Sequence, residues 1–160
     1  MHDAAWRYVA SVADQCSPST AVDIGGRDVN GTCRDLFPET VWTVLDAQPG
    51  PGVDVVADGG AWLPPEPVDL VLCTEVFEHT PRPDLIVDNI AKMLRPGGRV
   101  ILTMAGPGRA PHGIRADDPL QPGWYKNIEP IDLGRWLEQS GFIGIEVDQL
   151  DEDVRATAVR

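Results

Sequence analysis

The stretch that decides the fold lies near the amino terminus and reads Ala21-Val22-Asp23-Ile24-Gly25-Gly26-Arg27-Asp28-Val29-Asn30-Gly31. A short apolar run leads into an acidic residue and a pair of glycines, and an amphipathic stretch follows at residues 32–37. This order predicts a strand over about 20–24, a glycine-rich turn and a helix over about 30–37. Doubly wound α/β sheets bind nucleotide-like ligands at such a turn, because glycine lets the backbone approach closely and the helix N-terminus offers N–H groups.

Along the rest of the chain, short apolar runs alternate with segments of helical periodicity. Strands are predicted over about 41–45, 53–56, 68–73 and 100–104, followed by an antiparallel hairpin of 143–147 and 154–159. Helices are predicted at the N-terminus, from Thr80-Pro81 to residue 94, and from Pro130 to just before Gly141. The pattern predicts one α/β domain over residues 1–160, with a Rossmann-like, doubly wound, mostly parallel seven-stranded sheet whose last strand is antiparallel.

Composition limits the classes of function. A net charge of -12 argues against binding of bare nucleic acid, which requires a basic face. No apolar run approaches the length of a membrane span, and no secretory signal pattern is present, so we expect no membrane association. The three cysteines, Cys16, Cys33 and Cys73, lie in apolar stretches without a CxxC pair. They are therefore expected to be buried reduced thiols of a cytoplasmic protein.

Acidic and glycine-rich motifs follow the predicted strands in a fixed order. These motifs are Val22-Asp23-Ile24-Gly25-Gly26, Asp46, Ala57-Asp58-Gly59, Leu70–His79 and Leu94–Val100. In this order they resemble the class I S-adenosylmethionine-dependent methyltransferases over nearly the whole chain. The resemblance implies S-adenosylmethionine as the cofactor and an antiparallel seventh strand between strands five and six. The stretch Gly-Pro-Gly-Arg-x-Pro-His, with a later Trp-Tyr-x-Asn, is similar to a subgroup of small bacterial and bacteriophage methyltransferases.

The resemblance assigns roles to the acids. Asp23 organises the glycine turn around the methionine part of the cofactor, Asp46 accepts hydrogen bonds from the ribose hydroxyls, and Asp58 accepts one from the adenine amino group. The remaining residues expected at the cofactor are Gly25, Gly26, Gly31, Ala57, Gly59, Thr74 and Glu75. The alternative is that the acids only shape turns, because aspartate is common there. Asp46 also suits an NAD ribose, but the GxGxxG spacing of NAD-binding proteins is missing.

The segment over residues 105–129 is rich in glycine and proline and lacks periodicity. Since it follows strand five, it is predicted to lie over the carboxyl ends of the strands as a substrate loop or lid. Residues 106–115 contain two arginines, one histidine and no acid, which favours an anionic or hydroxyl-rich acceptor. The candidate acceptor-binding residues are Arg109, His112, Trp124 and Tyr125. The alternative is a solvated lid packed by its aromatic side chains.

An oxygen or nitrogen acceptor can require a general base. His112 has the most suitable ordinary pKa for that role, and Glu75 is the second candidate. Glu75, Glu78 and His79 superficially resemble a metal site, but zinc-protease motifs have two histidines at helical spacing. We therefore predict no metal from the sequence and expect His79 to contact a nearby loop.

Together these features predict an S-adenosylmethionine-dependent methyltransferase that acts on an oxygen or nitrogen of a small-molecule or glycan-like acceptor. Two other classes remain open: a non-catalytic cofactor-binding regulatory or scaffold module, and a protein-directed methyltransferase that requires a partner. Thr74-Glu75-Val76-Phe77 stands where methyltransferases acting on amino groups of bases or glutamine carry Asn/Asp-Pro-Pro-Tyr. Nothing in the sequence sets the oligomeric state.

Overall fold

A computed structural model describes residues 3–113 and 124–160 of the chain. The helices and strands in these ranges are α1 (Asp3–Val12), β1 (Thr20–Ile24), β2 (Val41–Asp46), β3 (Val55–Val56), β4 (Val68–Thr74), α2 (Pro83–Met93), β5 (Leu94–Ala105), α3 (Pro130–Gln139), β6 (Ile143–Leu150) and β7 (Asp153–Val159). Short 3₁₀ turns lie at Ala13–Gln15, Arg34–Leu36 and Phe77–His79. Among the helices so described, none is long and apolar enough to cross a membrane.

The strands form a seven-stranded sheet in the order β3-β2-β1-β4-β5-β7-β6. Strands β1 to β5 are parallel, whereas β7 lies between β5 and β6 and is antiparallel to both. The predicted fold class, including the reversed last strand, is confirmed. The chain order reverses between β1 and β4, so a crevice opens at the carboxyl ends of these two strands, where open α/β sheets bind ligands.

Alternation along β4 explains the two layers of the core. Leu70 and Leu72 pack on the face that carries α1, together with Val9. Val71 and Cys73 point to the opposite face, which α2 and α3 cover. These side chains are at most 1% exposed, and burying a large aliphatic side chain stabilises the fold by about 1.5–3 kcal/mol. Because both faces are covered, β4 is apolar at nearly every position, as expected for a buried parallel strand.

The predicted helix over 30–37 is wrong, because only the 3₁₀ turn Arg34–Leu36 forms there. Gly31 has a φ of 90°, which is outside the right-handed helical region. Phe37 precedes Pro38, and a residue before proline disfavours the helical conformation. Too few residues remain between these two positions for a stable helix, so no α-helix follows the first glycine turn in the described residues.

The starts of α2 and β5 are among the boundaries that differ from the prediction. Helix α2 begins at Pro83 rather than at Thr80-Pro81, because Pro83 holds Arg82 in a non-helical conformation and itself suits the first helical turn. Strand β5 begins at Leu94, before the glycines, and its register against β4 shifts between Val68 and Leu70. Helix α3 begins at Pro130 and ends before Gly141, as predicted.

Candidate functional site

A cavity of about 840 Å³ lies at the carboxyl ends of the parallel strands. This volume falls in the range of small-molecule and cofactor sites. Every residue that the sequence assigned to the cofactor lines it: Asp23, Gly25, Gly26, Gly31, Asp46, Ala57, Asp58, Gly59, Thr74 and Glu75. Of the predicted acceptor residues, Arg109 and His112 line the same cavity. The structure therefore brings the predicted cofactor residues and two of the four predicted acceptor residues together around one space.

The glycine pair after β1 forms the floor of this cavity. The N–H groups of Gly25 and Gly26 both donate to the Leu45 carbonyl, at 2.7 and 3.3 Å, which turns the chain tightly across β2. Gly25 has a φ of 73°, and a Cβ at this position would overlap Val76 Cγ2. A Cβ at Gly26 would lie 2.5 Å from Asp23 Oδ2. Both positions therefore require glycine, for conformational and steric reasons.

Asp23 is linked to the glycine turn through Arg34. Its carboxylate is buried and accepts a hydrogen bond from Arg34 Nη1 at 2.7 Å, and the same nitrogen donates to the Gly26 carbonyl at 2.8 Å. Burial raises the pKa of Asp23 to about 6, and the Arg34 charge opposes this shift. The pair links the 3₁₀ turn to the glycine turn, which agrees with an organising role for Asp23.

Asp46 and Asp58 end β2 and follow β3 on the far side of the cavity. The Asp46 oxygens accept the N–H groups of Gln48 at 2.9 Å and Arg27 at 3.4 Å. Asp58 accepts the Gly60 N–H at 2.8 Å. Each carboxylate thus shapes a local turn and retains acceptor lone pairs for a ligand.

The loop after Asp58 is fixed by helix α2. The Asn89 side chain is buried and donates to the carbonyls of Gly59 at 2.9 Å and Trp62 at 2.6 Å. These bonds hold the Asp58 loop against the sheet.

Glu75 marks the transition from the cofactor side to the predicted acceptor side. It has a φ of 58°, which is uncommon for a residue with a side chain. Its N–H donates to the Thr103 carbonyl at 2.8 Å, and its Oε1 accepts from Thr103 Oγ1 at 3.1 Å. Its Oε2 lies 3.1 Å from Arg109 Nη1. Contacts to two residues, Thr103 and Arg109, thus hold Glu75 in an uncommon backbone conformation, a feature that is frequent at functional sites.

Arg109 anchors the first part of the 105–129 segment. Its guanidinium pairs with Glu75 and with Asp153 at the start of β7, and the side chain is only 14% exposed. Asn127 Nδ2 donates to the Arg109 carbonyl at 2.9 Å. The two ends of the segment are thus tied together and to the sheet, whereas residues 114–123 of the predicted lid lie outside the described part of the chain.

A cluster of Glu78, His79, His112 and Tyr125 lies beside Glu75. The Tyr125 hydroxyl is 3.1 Å from His112 Nδ1, and the rings of His79, His112 and Tyr125 contact one another edge to face. Glu78 is fully buried; this burial and the Glu75 charge raise the pKa of Glu78. Burial, together with His112 and Arg109, lowers the pKa of His79 to about 4. His79 therefore contacts the loop segment, as expected from the sequence.

Not every predicted acceptor residue reaches the cavity. Tyr125 reaches it indirectly through His112. Trp124 is half-exposed and lines a separate pocket of about 200 Å³ with Lys126 and Trp136. The structure therefore groups Arg109, His112 and Tyr125 and leaves Trp124 apart.

Two residues that shape the acceptor end of the cavity were not assigned from the sequence. Asp153 holds Arg109 from the far end of the chain, and no local pattern indicates that contact. Glu78 was considered only as part of a rejected metal motif; the available signal was its position one residue before His79, in the turn that follows the buried strand β4.

Known proteins resemble this chain in sequence and fold. A family model described as "Methyltransferase domain" matches residues 8–147. A ubiquinone biosynthesis O-methyltransferase of Pseudomonas savastanoi is 26% identical over 157 residues, covering 88% of this chain and 68% of the relative. One from Photobacterium profundum is 36% identical over 83 residues, covering 50% of this chain and only 35% of the relative. The chain thus matches about a third of the length of that relative.

The fold likewise matches that of solved structures. The structure of Burkholderia thailandensis 1,6-didemethyltoxoflavin-N1-methyltransferase, with bound 1,6-didemethyltoxoflavin and S-adenosylhomocysteine, superposes with a TM-score of 0.73 at 17% identity. The match covers 99% of this chain and 79% of that one. The resemblance that the sequence motifs indicated is confirmed.

Proposed function

We propose that this chain, which belongs to the methyltransferase domain family, binds S-adenosylmethionine and transfers its methyl group to an oxygen of a small-molecule acceptor. One observation carries the proposal: the residues assigned to the cofactor share a cavity with Glu75, Arg109 and His112. A cofactor and an acceptor can then meet in one space. Methyl transfer requires this, because the reacting atoms must lie about 3–3.5 Å apart and in line.

At the cofactor end of the cavity, carboxylates accept hydrogen bonds from the cofactor. Asp46 accepts the ribose hydroxyls and Asp58 the adenine amino group, since both carboxylates line the cavity and keep lone pairs beyond those used by their own turns. The methionine part lies against Gly25 and Gly26, where the absence of side chains allows close approach.

The acceptor end favours a neutral hydroxyl compound. The charge of Arg109 is compensated by Glu75 and Asp153, so it offers little attraction for a carboxylate or phosphate. The curated relatives are named ubiquinone biosynthesis O-methyltransferases, which supports an oxygen acceptor. A phenolic ring or a sugar-like compound meets both conditions.

We expect removal of the proton from the acceptor hydroxyl to depend on His112. Glu75 Oε1 accepts from Thr103, and Glu75 Oε2 forms an ion pair with Arg109, although it has no hydrogen-bond partner among the described residues. His112 is partly exposed, lines the cavity and contacts the Tyr125 hydroxyl. Replacing His112 by alanine should lower turnover by a factor of about 10²–10⁴, the usual contribution of acid–base groups. The affinity for the cofactor should change little, because Asp46, Asp58 and the glycine turn are not among the contacts of His112.

Calorimetry with S-adenosylmethionine and S-adenosylhomocysteine tests the cofactor, and transfer of label from S-adenosylmethionine to phenols, sugars and peptides tests the acceptor class. We expect binding of both cofactor forms and transfer to a hydroxyl compound. The absence of both heat and a thermal shift at millimolar cofactor would refute the proposal.

A non-catalytic binding module is the second candidate. The missing helix after the first glycine turn favours it, because that helix would add N–H groups near the cofactor. Cofactor binding without transfer to any compound in the panel would support this alternative. Transfer to peptides alone would support a protein-directed enzyme.

A further inference from the structure

Three potential metal ligands converge at the acceptor end of the cavity. Glu78, His79 and His112 each offer one ligand atom, and these atoms all lie within 4.8 Å of one another. Glu78 and His79 belong to the 3₁₀ turn after β4, whereas His112 comes from the segment after β5. The fold thus supplies the second histidine that the local sequence motif lacks.

Glu78 has an unsatisfied oxygen in this cluster. Its side chain is fully buried, and Oε1 accepts the Ala105 N–H at 3.1 Å and lies 4.0 Å from His112 Nε2. Its Oε2 is also buried and finds no hydrogen-bond partner among the described residues. An unpaired buried carboxylate oxygen is costly, and a cation bound beside it would remove that cost.

The orientation of His112 suits a ligand. Its Nδ1 lies 3.3 Å from the Ala110 carbonyl and 3.1 Å from the Tyr125 hydroxyl, so a proton on Nδ1 has a backbone acceptor. This leaves the lone pair on Nε2, the atom that faces Glu78. Metal-binding histidines typically donate their other ring N–H to a carbonyl or carboxylate in this way.

We propose that Glu78, His79 and His112 bind a divalent first-row transition-metal ion on the wall of the cavity. Two imidazoles and one carboxylate favour such ions over Mg²⁺ and Ca²⁺, which prefer oxygen ligands throughout. Ligands about 2.1 Å from a tetrahedral ion are about 3.4 Å apart. The 4.0 Å between Glu78 Oε1 and His112 Nε2 therefore has to close only slightly.

Three protein ligands leave a coordination position open, as in catalytic zinc sites. His79 and His112 line the cavity, so that position is accessible to an acceptor oxygen. The role of the ion rests on the proposed function. A hydroxyl bound to it loses its proton to solvent more readily. The oxygen then forms a bond to the methyl carbon as the carbon–sulfur bond breaks, and neutral S-adenosylhomocysteine leaves; His112 contributes as a ligand.

The test is calorimetric titration of the metal-free, untagged full chain with Co²⁺ and Zn²⁺ in the absence of cofactor, together with the absorption spectrum of the Co²⁺ form. We expect one ion per chain and much weaker binding of Mg²⁺. Glu78→Gln, His79→Ala and His112→Ala should each weaken Co²⁺ binding at least about tenfold, the lower end of what loss of a supporting group costs. Glu66→Gln, an exposed residue away from the cavity, is the matched control and should bind normally.

Absence of Co²⁺ and Zn²⁺ binding would overturn the inference, as would unchanged binding in all three variants or equal affinity for Mg²⁺. His112→Ala keeps the test valid if Glu78→Gln does not fold, because His112 is 30% exposed. Cofactor binding is measured separately. A chain that binds S-adenosylmethionine but no metal contradicts only this inference, and one that binds metal but not cofactor contradicts only the proposed function.

Discussion

Replacement of Gly25 by alanine tests the geometry of the first turn most directly. Two costs are expected. Alanine at a φ of 73° is destabilised by about 1–2 kcal/mol. The new methyl group also overlaps Val76 Cγ2, and moving that neighbour costs about 1–3 kcal/mol. The free energy of unfolding should therefore fall by about 2–5 kcal/mol. Urea denaturation followed by circular dichroism measures this change.

Gly31 provides the matched control within the same motif. It also has a positive φ, of 90°, but an added Cβ would meet no described atom within 4 Å. Gly31→Ala should therefore show only the conformational cost, about 1–2 kcal/mol. In the double variant Gly25→Ala/Val76→Ala, the overlap is relieved, so the two changes should be non-additive by about 1–3 kcal/mol. Equal destabilisation by Gly25→Ala and Gly31→Ala, with additive double-variant values, would refute the steric argument.

Three further predictions use other parts of the site. Asp46→Ala should weaken S-adenosylmethionine binding by about 1–3 kcal/mol by calorimetry, whereas the exposed Asp35→Ala should not; equal affinities would remove Asp46 from the ribose site. Asp23 has its pKa raised to about 6 by burial, so the stability it contributes at low pH is lost as the pH rises from about 4 through about 6. Between about pH 4.5 and about pH 7.5, the free energy of unfolding of the wild type should therefore fall by about 2 kcal/mol relative to that of Asp23→Asn. Urea denaturation at the two pH values measures this, and a pH-independent difference between the two proteins would contradict it. Arg109→Gln removes the guanidinium that pairs with both Glu75 and Asp153, so it should lower the free energy of unfolding by about 1.5–3 kcal/mol. Arg135→Gln, in an exposed pair, should lower it by less than about 1 kcal/mol. Similar values for the two variants would contradict the role of Arg109.

The cofactor side of the cavity was largely predictable from the sequence. Asp46, Asp58 and Glu75 each follow an apolar run, and the carboxyl ends of parallel strands meet at one edge of the sheet. Strand periodicity alone therefore places these residues around the same crevice. The helix expected after Gly31 could not be excluded by periodicity, because its failure depends on two local conformations, at Gly31 and before Pro38.

The acceptor side was less predictable because its contacts join distant parts of the chain. His112 and Glu78 lie on separate segments, and Asp153 reaches Arg109 from β7. A motif search for metal ligands examines neighbouring positions, so it does not detect a cluster such as Glu78, His79 and His112, in which the fold brings the second histidine to the first. For the same reason, the basic character of residues 106–115 favoured an anionic or hydroxyl-rich acceptor, although Glu75 and Asp153 compensate the charge of Arg109 in the structure.

The position of β7 between β5 and β6 has a consequence for the order in which the site is assembled. The residues expected at the cofactor lie between Asp23 and Glu75, so they are all synthesised early. The acceptor side needs Asp153 to hold Arg109 and the Glu152 carbonyl to accept the Gly106 N–H, and both residues follow residue 150. A nascent chain that has emerged only as far as residue 150 therefore already contains every predicted cofactor contact but cannot yet fix its acceptor loop.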